Sequence, residues 1–191
     1  MKVFIFAGQS NMVGSDSNVK AIDDFPPYVG YGKEQQNNMF YYSIGREKKF
    51  KSEEWESLKP VNNVVGPEIS FARKVATTIN EPVAIIKCAA GGTHLGGDWN
   101  PDKPSGFKMY PLALNLVKPA LDELKKKNID YEIEGFMWHQ GENDMFNEDY
   151  MKNYGAVSYT HLRAHETRED RGLRRWGGKK KGGGGGGGGG G

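Results

Sequence analysis

KVFIFAGQSN, residues 2–11, is the stretch whose reading decides the fold. KVFIFA is short, β-branched and aromatic, and it stops at Gly8, so it reads as a buried strand released into a polar turn. Two later stretches repeat that form. PVAIIKCAA, residues 82–90, runs into Gly91-Gly92, and YEIEGFMW, residues 131–138, runs into His139-Gln140-Gly141. Helical periodicity fills the intervals. PEISFARKVATTIN, residues 67–80, places Pro67 and Glu68 in a first turn and Ile69, Ala72, Val75, Ala76 and Ile79 on one face. YPLALNLVKPALDELKKK, residues 110–127, places Leu114, Val117, Leu121 and Leu124 together, with Pro119 predicting a kink or break. NDMFNEDYMKNY, residues 143–154, opens a third helix.

Strands alternating with helices predict an α/β fold, a three-layer α/β/α arrangement around a parallel sheet. The three strands end in GQSN, GGTH and HQGEND. In an open parallel sheet those carboxyl ends share one edge, where ligands bind. Residues 15–65 are polar, carry FPPYVGYG and many Asn and Lys, and read as a long irregular excursion of the kind that is often functional.

The chain has 26 Lys+Arg and 24 Asp+Glu, but these are unevenly spread. Residues 156–191 hold eight basic and three acidic residues, leaving 18 and 21 in residues 1–155. The mildly acidic body gives no electrostatic case for nucleic acid or an anionic membrane as partner. The single cysteine, Cys88, excludes an internal disulfide framework and reads as a buried structural thiol. No signal peptide opens the chain and no stretch reaches the roughly 20 apolar residues of a membrane span, so the expectation is a cytoplasmic protein. From about residue 156, VSYTHLRAHET resembles translated sequencing-adapter read-through. The Lys-Lys-Lys and ten glycines that end the chain resemble poly-A and poly-G base calls. The expected organisation is therefore a domain over 1–155 and a non-native tail over 156–191, excluded from fold reasoning.

The blocks GQSNM (8–12), AAGGTHL (89–95) and WHQGEND (138–144) together resemble the first three motif blocks of SGNH-type hydrolases. The similarity is closest to the branch containing sialate O-acetylesterases and the acetyl xylan esterases of carbohydrate esterase family six. It covers residues 2–155 and implies a carbohydrate O-acetylesterase needing no cofactor and no metal, with an acetylated carbohydrate as its partner. By that resemblance Ser10 is the catalytic nucleophile. The oxyanion hole is formed by the Ser10 backbone N–H, a backbone N–H of Gly91 or Gly92, and the Gln140 side-chain amide. Gln9, Asn11 and Glu142 support the site, while Trp99 and His94 stand as weaker substrate-binding candidates. Plainer roles also fit these residues. Ser10 and Asn11 can cap the next segment, Gly91-Gly92 can be a tight turn, and Gln140 can bridge loops. Glu142 can sit at a helix start, and Trp99 can be a half-buried loop residue.

A serine nucleophile needs a base, usually a histidine oriented by an acid. The family supplies it from a late Asp-x-x-His block, and none of His94, His139, His161 and His165 stands in one. His139 matches a structural histidine. His94 follows the glycines and could approach Ser10. His161 and His165 are spaced as a helical metal pair, but within the tail. The expectation is C-terminal truncation, an impaired enzyme, and an uncovered sheet edge. The competing reading is a non-catalytic carbohydrate-binding relative that uses the same cleft. A nucleic-acid-binding reading rests wholly on RGLRRWGGKKK. The identity of the sugar and the oligomeric state are not encoded legibly.

Overall fold

The computed structural model describes residues 1–46, 50–103 and 105–159. The strands are β1 (Lys2–Gly8), β2 (Gln35–Ile44), β3 (Phe50–Lys51), β4 (Glu56–Leu58), β5 (Val83–Ala89) and β6 (Glu132–His139). The helices are α1 (Ser10–Val13), α2 (Val19–Asp23), α3 (Pro67–Ile79), α4 (Met109–Lys126) and α5 (Glu148–Ser158). Sheet order is β3-β2-β5-β1-β6, with β4 also paired to β2. β2, β5, β1 and β6 are mutually parallel, while β3 and β4 run antiparallel to β2. The result is the predicted α/β/α architecture with a mostly parallel central sheet.

Alternation along the strands divides the core in two. Val3 and Ala7 of β1 and Ala84, Ile86 and Cys88 of β5 face α4, meeting Leu116, Val117, Ala120, Leu121 and Leu124. Phe6 of β1 and Val83, Ile85 and Ala89 of β5 face the other way, meeting Met12 of α1 and Ile69 and Ala72 of α3. Every residue of β5 is buried, which is why its sequence is apolar apart from Lys87. Cys88 lies within this core, as expected.

The structure corrects the sequence reading in four places. The segment 15–65 is not merely irregular: it contains α2, β4 and β2, and β2 adds a fourth parallel strand beside β5. Its Asn-rich start concealed it. Asn38 is buried, its Oδ1 accepting from Val83 N at 3.0 Å and its amide donating to Gln35 Oε1 at 2.9 Å, so a loop-type residue is satisfied inside the sheet. Pro119 does not break α4, which runs unbroken for 18 residues. Pro119 is exposed, and the helix is held by the packed residues on either side of it. Leu114 points outward, and Leu116 takes the buried place expected for it. The helix expected from residue 143 starts as a 3-10 turn at Asp144–Phe146. Asn147 then caps α5 through its side-chain oxygen, which accepts from Asp149 N and Tyr150 N. α5 ends at Ser158, and residues 160–191, His161 and His165 among them, lie outside the described residues.

β6 borders the sheet with only β1 as its ladder partner among the described residues. Phe136 is 49% exposed there, and Met145, Phe146 and Met151 are exposed on the segment that follows.

Candidate active site

The carboxyl ends of β1, β5 and β6 come together, as sheet topology requires. Parallel pairing sets Gly8 opposite Ala89 and His139. A Cβ on Gly8, which has φ +157°, would strike the His139 carbonyl, so only glycine permits this approach. Gln9 N then donates to His139 O at 2.9 Å.

Gln9 is the hub of the site. It is 1% exposed, and its Oε1 accepts from Gln140 Nε2 (3.2 Å), Gly141 N (3.1 Å) and Asn143 N (3.4 Å). One buried carboxamide thus ties the turn after β1 to the turn after β6. Ser10 follows at the start of α1, partly exposed. An ideal Cβ placed on Gly91 would stand 3.6 Å from Ser10 Cβ, so the first glycine faces the serine directly. Among the described residues, neither the Ser10 hydroxyl nor the Gly91 N–H has a hydrogen-bond partner.

The second glycine is differently placed. Gly92 has φ +70°, and with the Asn143 carboxamide oxygen turned toward it, that oxygen accepts from Gly92 N (3.0 Å) and Thr93 N (3.2 Å). Gly92 N–H is therefore occupied internally, and of the two expected glycine donors it is Gly91 that remains open.

Gln140 is buried in a dense network. Its Nε2 lies within hydrogen-bond distance of three acceptors: Gln9 Oε1, Thr93 O (3.1 Å) and Asp144 Oδ2 (2.5 Å). Its Oε1 accepts from the Tyr154 hydroxyl at 3.1 Å, and the same hydroxyl donates to Gln140 O at 2.6 Å. Burial pushes the Tyr154 hydroxyl pKa up, and the Asp144 and Glu142 charges add to this. An amide with two hydrogens facing three internal acceptors acts as a bridge between loops.

Asp144 was read from sequence only as part of a helix start. It is 1% exposed, and besides Gln140 it accepts from Leu95 N (3.0 Å) and Gly96 N (3.1 Å). Its placement at the end of WHQGEND was the available signal. Glu142 bonds Asn11, whose side-chain amide donates to Oε1, and the same oxygen lies 3.5 Å from His139 Nε2. Glu142 Oε2 is buried with no partner among the described residues.

The weaker candidates separate. Trp99 is 3% exposed, donates from Nε1 to Thr93 Oγ1 at 3.0 Å and packs edge-on to Trp138. Its rings are enclosed, so it offers no sugar platform; it locks the loop after β5. His94 is paired with Asp98, another residue the sequence reading passed over. Nδ1 is 3.3 Å from Asp98 Oδ2, which also accepts from His94 N at 2.9 Å, while Asp98 Oδ1 accepts from Phe107 N at 2.7 Å. Asp98 is buried, His94 is partly exposed, and the ring leans on Tyr150. No hydrogen bond joins His94 to Ser10 among the described residues. No group of three or more metal-ligating side chains occurs among them either, and no helix there is long and apolar enough to cross a membrane.

With this geometry in view, comparison with known proteins is informative. A protein from Arabidopsis thaliana solved by X-ray diffraction aligns at a TM-score of 0.55 and 20% identity, over 91% of this chain and 68% of that one. That likeness concerns the fold. A carbohydrate acetylesterase from Xanthomonas citri aligns at a TM-score of 0.49 and 16% identity, over 89% of this chain and 38% of that one. No curated protein sequence matches. The family described as "SASA: Carbohydrate esterase, sialic acid-specific acetylesterase" matches residues 1–174, nearly the whole chain, and the chain therefore belongs to that carbohydrate esterase family.

Proposed function

We propose that the chain is built to hydrolyse acetyl esters on carbohydrates through Ser10. The observation that carries this reading is Ser10 just past the carboxyl end of β1, its Cβ close to Gly91, with neither the Ser10 hydroxyl nor the Gly91 N–H bonded among the described residues. In the proposed reaction Ser10 Oγ adds to the acetyl carbonyl, giving up its proton. The Ser10 and Gly91 N–H groups stabilise the oxyanion, the bond to the sugar oxygen breaks, and that oxygen takes a proton. Water then hydrolyses the acetyl-serine. One such donor is worth about 3 kcal/mol of transition-state stabilisation. Gln140 supports the hole by fixing the Gln9 and Thr93 turns; direct donation to the substrate requires releasing one internal acceptor.

The base is the weak point. No Asp-x-x-His stands in the sequence, so turnover by this polypeptide is proposed to be slow. The substrate class is an O-acetylated sugar, with sialate and xylan esters as the two to compare.

The test is acetate release from p-nitrophenyl acetate, O-acetyl sialate and acetyl xylan by the chain and by Ser10→Ala, with intact mass read for an acetyl group on Ser10. Turnover lost in Ser10→Ala supports the proposal. Sugar binding with no Ser10-dependent turnover supports instead a non-catalytic carbohydrate-binding relative, a reading favoured by the internal engagement of Gln140.

A further inference from the structure

VAIIKCA, the fully buried central strand β5, contains one charged residue, Lys87. It is 0% exposed, and Glu68 in the first turn of α3 is 2% exposed. Lys87 Nζ donates to Glu68 Oε2 at 2.5 Å and to the Val13 carbonyl at 3.2 Å. Val13 is the last residue of α1, the turn that Ser10 begins. Burial lowers the Lys87 pKa, with the Glu68 charge and hydrogen bond opposing it.

An ion pair removed from water in this way is costly, and an apolar pair of similar volume often serves stability as well or better. The backbone around the pair is fitted to it. An ideal Cβ on Gly14, which has φ +89°, would stand 2.5 Å from Val65 O, and one on Gly66 would strike both the Glu68 carboxylate and Lys87 Nζ. The end of α1, the start of α3 and the middle of β5 thus close on one buried charge. The Val13 side chain packs against the core, but its carbonyl takes its side-chain hydrogen bond from Lys87, which an apolar residue at 87 could not supply.

We propose that Lys87, held by Glu68, is a positioning residue for Ser10: it anchors the far end of the four-residue α1 and so fixes the serine against Gly91. The inference rests on Ser10 being the nucleophile. A neutral, apolar pair at 68 and 87 would keep the core filled but remove the bond to the Val13 carbonyl, leaving α1 held by Met12 packing and the Asn11–Glu142 contact.

Lys87→Met alone leaves Glu68 buried without its cation and is expected to fold poorly, so the decisive variant is the double substitution Lys87→Met with Glu68→Met. Thermal unfolding, amide hydrogen exchange of peptides covering 9–16 and 109–126, and p-nitrophenyl acetate kinetics are compared with the unsubstituted chain. The expected result is a retained melting temperature and about tenfold faster exchange confined to 9–16. A kcat lowered about a hundredfold at nearly constant KM accompanies it. Exchange over 9–16 unchanged, or altered equally in 109–126, overturns the tether. If the unsubstituted chain shows no Ser10-dependent turnover, the esterase reading falls, while the exchange data still decide whether Lys87 holds α1.

Discussion

At the residue scale, Gly8 and Gly91 show how neighbouring glycines can answer different demands. A side chain on Gly8 meets backbone, the His139 carbonyl, which cannot yield without parting β1 from β6. Gly8→Ala is expected to cost about 3 kcal/mol or more, read as a lower urea midpoint. A Cβ on Gly91 meets only Ser10 Cβ at 3.6 Å and Ser10 Cα at 3.8 Å, ordinary van der Waals distances. Gly91→Ala is expected to fold with little change in melting temperature. Crowding at the open N–H should lower Ser10-dependent turnover about a hundredfold. Asp144 poses a third case. Asp144→Ala leaves the Leu95 and Gly96 N–H groups without their acceptor and removes one of the three acceptors around the Gln140 amide, and a loss of about 3 kcal/mol is expected from denaturant unfolding.

At the element scale, α4 carries a fault that its packing overrides. Pro119 removes one backbone donor from the helix interior, yet the buried residues around it keep the helix continuous. Because Pro119 is exposed, Pro119→Ala changes the backbone alone. It is expected to stabilise the protein by about 1–2 kcal/mol, the helical gain being partly offset by a freer unfolded chain. The melting temperature should rise by about 2–8 °C. The three strands found from sequence were legible because β1 and β5 are compact, mostly apolar runs and β6 alternates apolar with polar residues before its polar turn. β2 was not, because QQNN reads as loop until Val83 and Gln35 are seen to satisfy Asn38.

At the scale of the molecule, three tyrosines resist ionisation. Tyr41, Tyr42 and Tyr154 all have pKa values raised above the usual 10.0, in each case chiefly by burial and further by neighbouring carboxylates. A raised folded-state pKa means that the folded chain holds the proton more tightly than the unfolded chain. The resulting stability is complete below the unfolded pKa and is lost as pH rises through the folded values. Denaturant midpoints should therefore hold up to about pH 10 and fall above it. Ultraviolet titration should show these tyrosines ionising after the exposed ones, and Tyr154→Phe should soften the alkaline fall.

The α/β class, the parallel direction of the central strands and the meeting of the three motif turns were all present in the sequence, because periodicity and strand-ending turns are local properties. So was the nomination of Ser10, Gly91, Gly92, Gln140 and Glu142, since block order and spacing travel with the chain. Tertiary structure alone decided what each side chain is bonded to. It enclosed Trp99, gave Gly92 N–H to Asn143 while leaving Gly91 open, and surrounded the Gln140 amide with acceptors. It also made Gln9 and Asp144 the centres of the network and set Lys87 beneath the serine turn. The physical reason is that a buried polar group must find its partner wherever folding brings one within about 3 Å, and those partners lie scores of residues away along the chain.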